Sequence, residues 1–408
     1  MINLLEGKPG LDLLPLDRVA RSTQAALTGN GVTRRLLQYG DEFGDAAYLG
    51  SLAKFLTERY GTQVRPDQLC ATPGASLSLQ HLLTMLTRPE STTRYAFFQD
   101  PTYHLVYQIY NDAGFKKSQF IGIPDDSNGL DVDALEIFLE QHLSKDEAKS
   151  EFYSAVLYCV PTHANPTSSI LSAERRQKLV QLARQYNVLV ICDDVYDFLT
   201  FEGVTPKRTV AFDLESMTPS DKPTVISNGS FSKILAPGMR AGWIEAHPSL
   251  IQRVGSCGSF ISGGSPSNFA NEMIAPMLES SDPELSLHHN IAHLRSKLHE
   301  RLKKLWAAIE TYLIPLGCSS TLPSGGYFVW VQLPPGVDRA LLEKVMDEQP
   351  ERDIVIGWGN LFGVPGDANK DRRRFKDHVR LCFAYLPSDT LEKGVIRLAE
   401  LIHIAKSQ

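Results

Sequence analysis

The chain has 408 residues, 43% of them apolar and 22% charged, so it can bury a large core and form about two or three structural units. Its formal net charge of −6 gives no chain-wide basic surface, which argues against nucleic acid as a partner. No run reaches the ~18 apolar residues of a membrane span, and the N-terminus lacks a signal-peptide pattern. The six cysteines form no CxxC pair. We therefore expect a cytoplasmic protein with reduced thiols, no membrane partner and no bound metal.

The first clear element in chain order is a helix that begins at a tight turn. Leucines repeat at helical spacing over 79–86, immediately after Pro73 and Gly74. The free backbone amides and the dipole of a helix start favour an anion. This turn is therefore a candidate anion site.

Between about residues 70 and 250, β-rich apolar runs alternate with helical patterns. The predicted strands are 154–160, 187–193, 224–229 and 242–246. Between the first two, apolar residues over 179–186 form the stripe of an amphipathic helix. This β-α-β order predicts a parallel sheet covered by helices.

The last part of the chain has a different pattern. Apolar residues keep helical spacing over 291–309, a strand pattern follows at 325–334, and a final helix has its apolar stripe over 391–402. We expect the long helix to leave the sheet domain and enter a smaller C-terminal one. The charge-dense stretch 366–378 is predicted to be a solvated loop.

The segment 230–243 carries the most chemical information. Lys233 lies beside Ser230 and Ser232, after a strand end and before a turn, where partial desolvation lowers a lysine pKa and makes the amine nucleophilic. Arg240 offers a planar fork for a phosphate, and the two serines offer hydroxyl groups. Taken alone, the same residues are more typical of a solvated surface loop.

This segment resembles the lysine signature of class I/II aminotransferases of pyridoxal 5′-phosphate (PLP) fold type I, and further motifs follow in that family's order. The resemblance implies that Lys233 carries PLP as a Schiff base. It also implies an α/β fold, with a large domain whose mostly parallel, seven-stranded-type sheet is sandwiched by helices, and a smaller α+β domain formed by the N- and C-terminal segments. The implied units are an N-terminal segment or dimer arm at 1–45, the PLP-binding domain at 46–295 and the small domain at 296–408.

The stretch 191–196 resembles the family's D-x-x-Y at the end of a central strand. The resemblance makes Asp193 the partner of the pyridinium nitrogen and Tyr196 a hydrogen-bond donor to the phenolic oxygen. A carboxylate at that place keeps the ring nitrogen protonated, so that the ring can act as an electron sink. Asp193 as an ordinary strand-end cap is the plain alternative. Asp194 competes for the role but lacks the spacing to Tyr196.

Two further loops match the ring site of the family. Residues 161–167 resemble its N-P-T-G loop, which makes Asn165 a donor to the phenolic oxygen and a substrate contact. Ser168 stands where glycine is usual, which leaves the backbone geometry there open. Tyr103 matches the aromatic residue that stacks on the ring, although it also suits the start of an ordinary helix.

The family cradles the cofactor phosphate at the position of Gly74, Ala75 and Ser76. Near the N-terminus, Tyr39 and Gly40 resemble the element whose tyrosine reaches the phosphate of the partner subunit's cofactor. This match implies a homodimer with shared active sites. Tyr39 as plain packing is the alternative.

Arg380 resembles the arginine of the family's R-L-x-F-A strand, which binds the substrate α-carboxylate. An arginine at the head of an apolar strand is costly to bury without an anion. Arg372, Arg373 and Arg374, just before it, are predicted to be solvated loop charges.

The resemblance implies transamination between an L-amino acid and a 2-oxo acid, with ping-pong kinetics. The stretch 100–110 is most similar to the 2-aminoadipate, kynurenine and aromatic branch, with 2-oxoglutarate as the usual acceptor. A carbon–sulfur β-lyase, or another elimination or condensation enzyme of the same fold, remains an alternative because the pocket decides which bond breaks. A PLP-sensing regulator is disfavoured, since the family's start at 3–7 leaves no room for a preceding DNA-binding domain.

Overall fold

A computed structural model describes residues 1–28, 34–145, 151–349, 353–366 and 374–408 of the chain. Its strands are β1 Ile2–Asn3, β2 Leu69–Thr72, β3 Tyr95–Asp100, β4 Phe120–Asp126, β5 Gly129–Leu130, β6 Ala155–Cys159, β7 Val188–Asp193, β8 Val225–Ser230, β9 Gly242–Glu245, β10 Ser319–Ser320, β11 Phe328–Gln332, β12 Ile354–Val355, β13 Gly357–Trp358 and β14 His378–Cys382. Its α-helices are α1 Leu16–Thr28, α2 Ala46–Tyr60, α3 Ala75–Leu86, α4 Val106–Asp112, α5 Val132–His142, α6 Ala173–Gln185, α7 Thr209–Ser216, α8 Pro248–Gly255, α9 Gly258–Gly263, α10 Asn268–Glu279, α11 Leu287–Ala308, α12 Arg339–Asp347 and α13 Ser388–Lys406.

The large sheet has the strand order β2-β9-β8-β7-β6-β3-β4-β5. Its centre is parallel, from β4 through β3, β6 and β7 to β8, whereas β8–β9, β9–β2 and β4–β5 pair antiparallel. The predicted α/β fold with a mostly parallel sheet is confirmed. The sheet has one strand more than the seven-stranded type, because the two-residue β5 folds back on β4 at the edge.

The central strands are buried on both faces, as their continuous apolar runs predict. In β6, Val156 and Tyr158 belong to the core that contains the leucines of α3, while Leu157 and Cys159 belong to the core under α6. Alternate residues therefore face different helical layers. The predicted strands agree with β6 to β9 to within one residue at each end.

The C-terminal part forms a smaller sheet of order β10-β11-β14-β13, antiparallel throughout. Helix α11 spans Leu287–Ala308, in agreement with its apolar spacing, and packs against α13. At the other end of the chain, β1 pairs in parallel with β12, with Ile2 opposite Ile354. The N-terminal strand thus joins the C-terminal part of the chain.

The six cysteines are buried free thiols, in agreement with the expectation from their spacing. Among the helices in the described ranges, none is long and apolar enough to cross a membrane.

Arg374 contradicts the prediction of a solvated loop charge. Its Nη1 donates to Asp100 Oδ2 at 2.6 Å, and the Asp100 side chain is fully buried. A buried carboxylate without a counterion is costly, so the end of β3 binds an arginine from a distant loop. Val364 N also donates to Asp100 Oδ1, at 3.2 Å. Arg372 and Arg373 lie outside the described residues.

Candidate active site

The carboxyl ends of the central strands open into a cavity of about 420 Å³. Ligands bind outside this edge of open parallel sheets. Asp193 ends β7 and Ser230 ends β8, and Arg380 enters from β14 of the smaller sheet. The predicted site residues that line the cavity are Ala75, Ser76, Tyr103, Asn165, Asp193, Tyr196, Ser230, Ser232, Lys233, Arg240 and Arg380.

Lys233 is a half-buried amine in the turn after β8. Burial lowers the pKa of its ammonium group to about 8, against the opposing influence of Cys382 and Asp193. Its Nζ donates to Gly7 O at 2.7 Å, so the N-terminal segment closes one side of the cavity. A lysine with this pKa has a neutral fraction near neutral pH and can act as a nucleophile.

Asp193 presents one carboxylate oxygen to the cavity. Its Oδ2 accepts a hydrogen bond from Tyr158 OH at 2.5 Å, whereas Oδ1 is buried without a hydrogen-bond partner in the described part of the chain. Burial raises the pKa of this carboxyl to about 6, and the Tyr158 hydrogen bond opposes the rise. Asp194 instead binds Ser227 and does not line the cavity. Of the two neighbouring carboxylates, Asp193 is therefore the one at the cavity.

The turn before α3 and the loop after β8 form a cradle for an anion. Gly74 has φ +92°, and a Cβ there would lie 2.9 Å from Arg240 Nη2. Glycine thus leaves room between the helix start and the guanidinium group. Ser230 Oγ lies 3.0 Å from Ser232 Oγ, which Arg240 Nη1 approaches at 3.4 Å. Free amides, hydroxyl groups and a guanidinium group together suit a phosphate dianion.

Tyr103 and Tyr196 line the cavity within the electrostatic influence of both Asp193 and Arg380. Burial raises the pKa of each phenol, and the charges of Asp193 and Arg380 act on both hydroxyl groups. Both side chains therefore remain neutral hydrogen-bond donors at physiological pH.

Ser168 keeps the loop geometry that glycine would allow. It has φ +60°, in the left-handed region, and its Oγ donates to Phe328 O at 2.7 Å. Its backbone N donates to Ala164 O at 2.6 Å. These hydrogen bonds hold a conformation that is unfavourable for most side chains. The loop thus presents Asn165 to the cavity without a glycine at this position.

Arg380 is a buried cation with open hydrogen-bonding capacity. Its side chain lies between the rings of Phe328 and Phe362, whose centroids are 4.0 and 4.6 Å from Cζ. Nη1 donates to Asn165 Oδ1 at 2.7 Å and Nη2 to Leu5 O at 2.5 Å. Nε is buried without a partner, and no carboxylate within the described ranges forms an ion pair with this arginine. A substrate carboxylate would supply the missing charge.

Comparison with known proteins identifies the family. The family model described as aminotransferase class I and II matches residues 1–398. The chain belongs to this family. It is 30% identical to the aromatic-amino-acid aminotransferase 1 of Thermococcus litoralis, over 98% of this chain and 88% of the relative.

Solved structures agree with this assignment. The multiple substrate aminotransferase from Thermococcus profundus has a TM-score of 0.82 and 28% identity, and the match covers 100% of this chain and 92% of the other. The Pyrococcus horikoshii kynurenine aminotransferase, in complex with PMP, KYN as substrates and KYA as products, has a TM-score of 0.81 and 28% identity, with 99% and 91% covered. The fold is that of fold type I aminotransferases.

The aminotransferase depends on PLP, and its cavity fits that cofactor. Lys233 supplies an amine with a lowered pKa, Asp193 a carboxylate oxygen without a partner, and the turn at Gly74 a cradle that a Cβ would fill. An amine, a carboxylate and an anion site are the three groups that PLP requires of its protein.

Two predicted site residues do not line the cavity: Gly74, which adjoins it beside Arg240, and Tyr39, which lies apart from it. The Tyr39 side chain is 78% exposed and does not line the cavity of its own chain. A Cβ on the neighbouring Gly40 would lie 2.7 Å from Asn268 Oδ1, so the segment packs against the start of α10. An exposed tyrosine at this place is available to a partner subunit.

Sequence reasoning missed several contributors to the site. Tyr158, Phe328 and Phe362 support Asp193 and Arg380, while His104 lines the cavity mouth. Strand alternation was a usable signal for Tyr158, because it belongs to the same core as Ile191 of the next strand. No local pattern identifies Phe362, which lies 18 residues before Arg380 in the chain.

Proposed function

We propose that this aminotransferase moves the amino group of an L-amino acid of aromatic, kynurenine or 2-aminoadipate type to a 2-oxo acid such as 2-oxoglutarate, by a ping-pong mechanism. The observation that carries the proposal is the shared cavity of Lys233 and Arg380. An amine with a lowered pKa and a guanidinium group without a counterion face the same space. An amino acid requires both, a base for its Cα proton and a partner for its carboxylate.

Lys233, Asp193 and Arg380 carry the main steps of this mechanism. When bound, PLP supplies an electron sink for negative charge at the substrate Cα. Lys233 Nζ and Asp193 Oδ1 would hold the cofactor, with the phosphate in the cradle at Gly74. Arg380 binds the substrate α-carboxylate and orients the Cα–H bond. Once the substrate amino group displaces it from the cofactor, Lys233 Nζ is a free amine that accepts the Cα proton as general base and later donates a proton as general acid.

The remaining polar groups orient the ring. Because Asn165 Oδ1 accepts from Arg380, the Nδ2 group is the one left to donate to the phenolic oxygen of the cofactor. Tyr196, a neutral phenol, is the second donor. Tyr103 covers the ring by stacking. Asn165 thus couples the substrate carboxylate to the cofactor.

The cavity mouth supports a substrate with a large, weakly charged side chain. Leu5, His104 and Leu105 line it, and Lys8 pairs with Glu6 at 3.3 Å. Among the cavity residues in the described ranges, the arginines are those of the cradle and of the carboxylate site. With no additional arginine among these residues, we expect aromatic and kynurenine-type donors to be used better than the acidic 2-aminoadipate, and Lys8 is the lining cation left for the distal carboxylate of a 2-oxoglutarate acceptor.

A homodimer with shared active sites completes the proposal. The exposed apolar side chains Leu37, Ile261 and Phe269 belong to the same region as Tyr39, because the backbone at Gly40 lies against Gly264 and Asn268. Apolar side chains of this size on one surface are typical of an interface. In the dimer, Tyr39 would reach the phosphate of the partner's cofactor.

The test combines PLP-loaded protein with single L-amino acids in the absence of any acceptor. The panel contains phenylalanine, tyrosine, kynurenine, 2-aminoadipate and aspartate. The proposal predicts that one equivalent of 2-oxo acid per site forms with phenylalanine, tyrosine or kynurenine, while the cofactor converts to pyridoxamine phosphate. Addition of 2-oxoglutarate should then restore the original absorbance band.

A different product pattern would contradict the proposal. Release of pyruvate and ammonia from a cysteine conjugate over many turnovers, with an unchanged cofactor band, would indicate a carbon–sulfur β-lyase instead. A preference for aspartate over every aromatic donor would overturn the substrate class and leave transamination intact.

A further inference from the structure

Tyr158 is a buried tyrosine. Its hydroxyl group, the only polar group of its side chain, donates a hydrogen bond to Asp193. We propose that Tyr158 is a positioning residue, which holds Asp193 Oδ2 so that Asp193 Oδ1 points at the ring nitrogen of the cofactor. This inference rests on the role given to Asp193 in the proposed function. Tyr158 itself does not line the cavity.

The strand register brings the two side chains together. Tyr158 of β6 lies opposite Ile191 of β7, and Asp193 follows two residues later on the same face. The phenol oxygen donates to Asp193 Oδ2 at 2.5 Å. Tyr158 is 1% exposed, so water does not compete for this hydrogen bond.

The two oxygens of Asp193 have different surroundings. Oδ2 has its partner in Tyr158, whereas Oδ1 is buried and has no partner in the described part of the chain. A buried carboxylate oxygen without a donor is costly in the free protein, and a protonated ring nitrogen supplies the missing donor. The hydrogen bond from Tyr158 fixes which oxygen remains open. It therefore selects the orientation in which the carboxylate meets the ring.

Tyr158 also favours the charged form of the carboxylate. Burial raises the pKa of the phenol well above its ordinary value, and the charge of Asp193 raises it further, so the group stays a donor. The same hydrogen bond opposes the rise that burial causes in the pKa of Asp193. An ionised Asp193 is the form that pairs with a pyridinium nitrogen.

Tyr110 provides a matched control. It is also fully buried and packs its ring against Phe98 and Phe115, but its hydroxyl group has no partner among the described residues. Tyr110→Phe therefore removes a buried hydroxyl group without touching Asp193. Tyr158→Phe removes the donor and keeps the ring.

The experiment measures the affinity of the full-length, cofactor-free chain for two probes. One is PLP, and the other is its analogue in which a CH group replaces the ring nitrogen. Tyr158→Phe should weaken PLP binding about tenfold, because a hydrogen bond to a charged group is lost. Binding of the analogue should change less than about twofold. Tyr110→Phe should leave both affinities unchanged.

Two results would overturn the inference. Equal losses for both probes would indicate a general packing role, and no loss for either would remove any role. If Tyr158→Phe does not fold, Tyr158→Leu is measured in the same way and has to give the same selective loss for PLP. An absence of selectivity in that variant would also overturn the inference.

Asp193→Ala separates this inference from the assignment of Asp193. In that background, PLP and the analogue should bind with similar affinity, and adding Tyr158→Phe should have no further effect. If Asp193→Ala still prefers PLP over the analogue, the role of Asp193 itself fails. If Asp193→Ala loses the preference for PLP over the analogue but Tyr158→Phe keeps that preference undiminished, only the role of Tyr158 fails.

Discussion

The proposed cofactor floor, formed by Asp193, Ser230 and Lys233, and the proposed carboxylate site, formed by Arg380 with the supporting rings of Phe328 and Phe362, adjoin one cavity but depend on different contacts. The floor lies at the ends of the neighbouring strands β7 and β8 and in the turn that follows. The carboxylate site enters from the smaller sheet. The first site is set by local chain geometry and the second by tertiary packing.

The packing around the carboxylate site joins three distant parts of the chain. Arg380 binds the carbonyl of Leu5 in the N-terminal segment and the amide oxygen of Asn165 in the large sheet domain. Phe362 O accepts from Thr102 N and from Tyr107 OH, each at 3.0 Å. Because Phe362 contacts Arg380 and does not line the cavity, a change at Phe362 is expected to alter substrate binding more than cofactor binding.

Replacing Lys233 should have the largest effect. Lys233→Ala removes both the amine that holds PLP and the general base, so turnover should fall by about 10⁴-fold or more. Steady-state assays with the best donor measure the loss, and thermal unfolding checks that the protein folds. Activity close to that of the unmodified enzyme would contradict the assignment of the cofactor floor.

Replacing Arg380 should mainly change substrate affinity. Lysine lacks the planar fork that lies between two rings, so Arg380→Lys should raise KM for the amino acid roughly 10- to 100-fold, with a smaller change in kcat. PLP affinity should stay the same. Arg397→Lys is the control. It alters the ion pair between Arg397 of α13 and Asp353, and it should leave KM unchanged. An unchanged KM in Arg380→Lys would remove the carboxylate role.

The pH dependence of PLP attachment tests the floor by itself. The pKa of Lys233 is lowered to about 8, so its amine carries a proton below that pH and is a free nucleophile above it. The attachment rate in cofactor-free protein should therefore rise about tenfold per pH unit up to about pH 7 and level off above pH 8. Stopped-flow absorbance measures it. A rise that continues to about pH 10 would indicate an ordinary, unperturbed lysine.

Removing Arg374 should have the smallest effect on catalysis, and that effect should be confined to the carboxylate site. Arg374→Ala leaves the buried Asp100 carboxylate without its counterion, so the free energy of unfolding should fall by about 1–3 kcal/mol. Because Asp100 also binds Val364, two residues after Phe362, KM should rise a few-fold while PLP affinity is unchanged. Denaturant unfolding and kinetics measure both effects, and Arg374→Lys should recover part of the stability. Unchanged stability would mean that the pair contributes nothing.

The contrast between the two regions explains which site residues and strands could be predicted from the sequence. Lys233 and Asp193 were singled out because the motifs around them match those of the family in order and spacing, and both motifs are local stretches at a strand end and its following turn. The choice between Asp193 and Asp194 follows from alternation and from spacing to Tyr196. The strands β6 to β9 and the parallel pairing of β6 with β7 follow from the sequence pattern.

The remaining features depend on contacts between distant segments. The hydrogen bond from Tyr158 to Asp193 requires the register of two strands, and the position of Phe362 requires the packing of the smaller sheet on the large one. Arg374 was predicted to be solvated because it stands in a charged run, and no local signal shows that Asp100 is buried. The two-residue β5 is too short to give an alternation pattern.

The most direct test of the account is to identify the lysine that holds PLP. Borohydride reduction of the PLP-loaded protein, followed by peptide mass mapping, fixes the cofactor to its amine. Lys222 is an internal control, because burial also lowers its pKa to about 8, but its Nζ donates to Asn187 Oδ1 at 2.7 Å, away from the cavity. The adduct should be stoichiometric on Lys233 and absent from Lys222. An adduct on Lys222 or on any other lysine, with Lys233 unmodified, would contradict the assignment of PLP to Lys233.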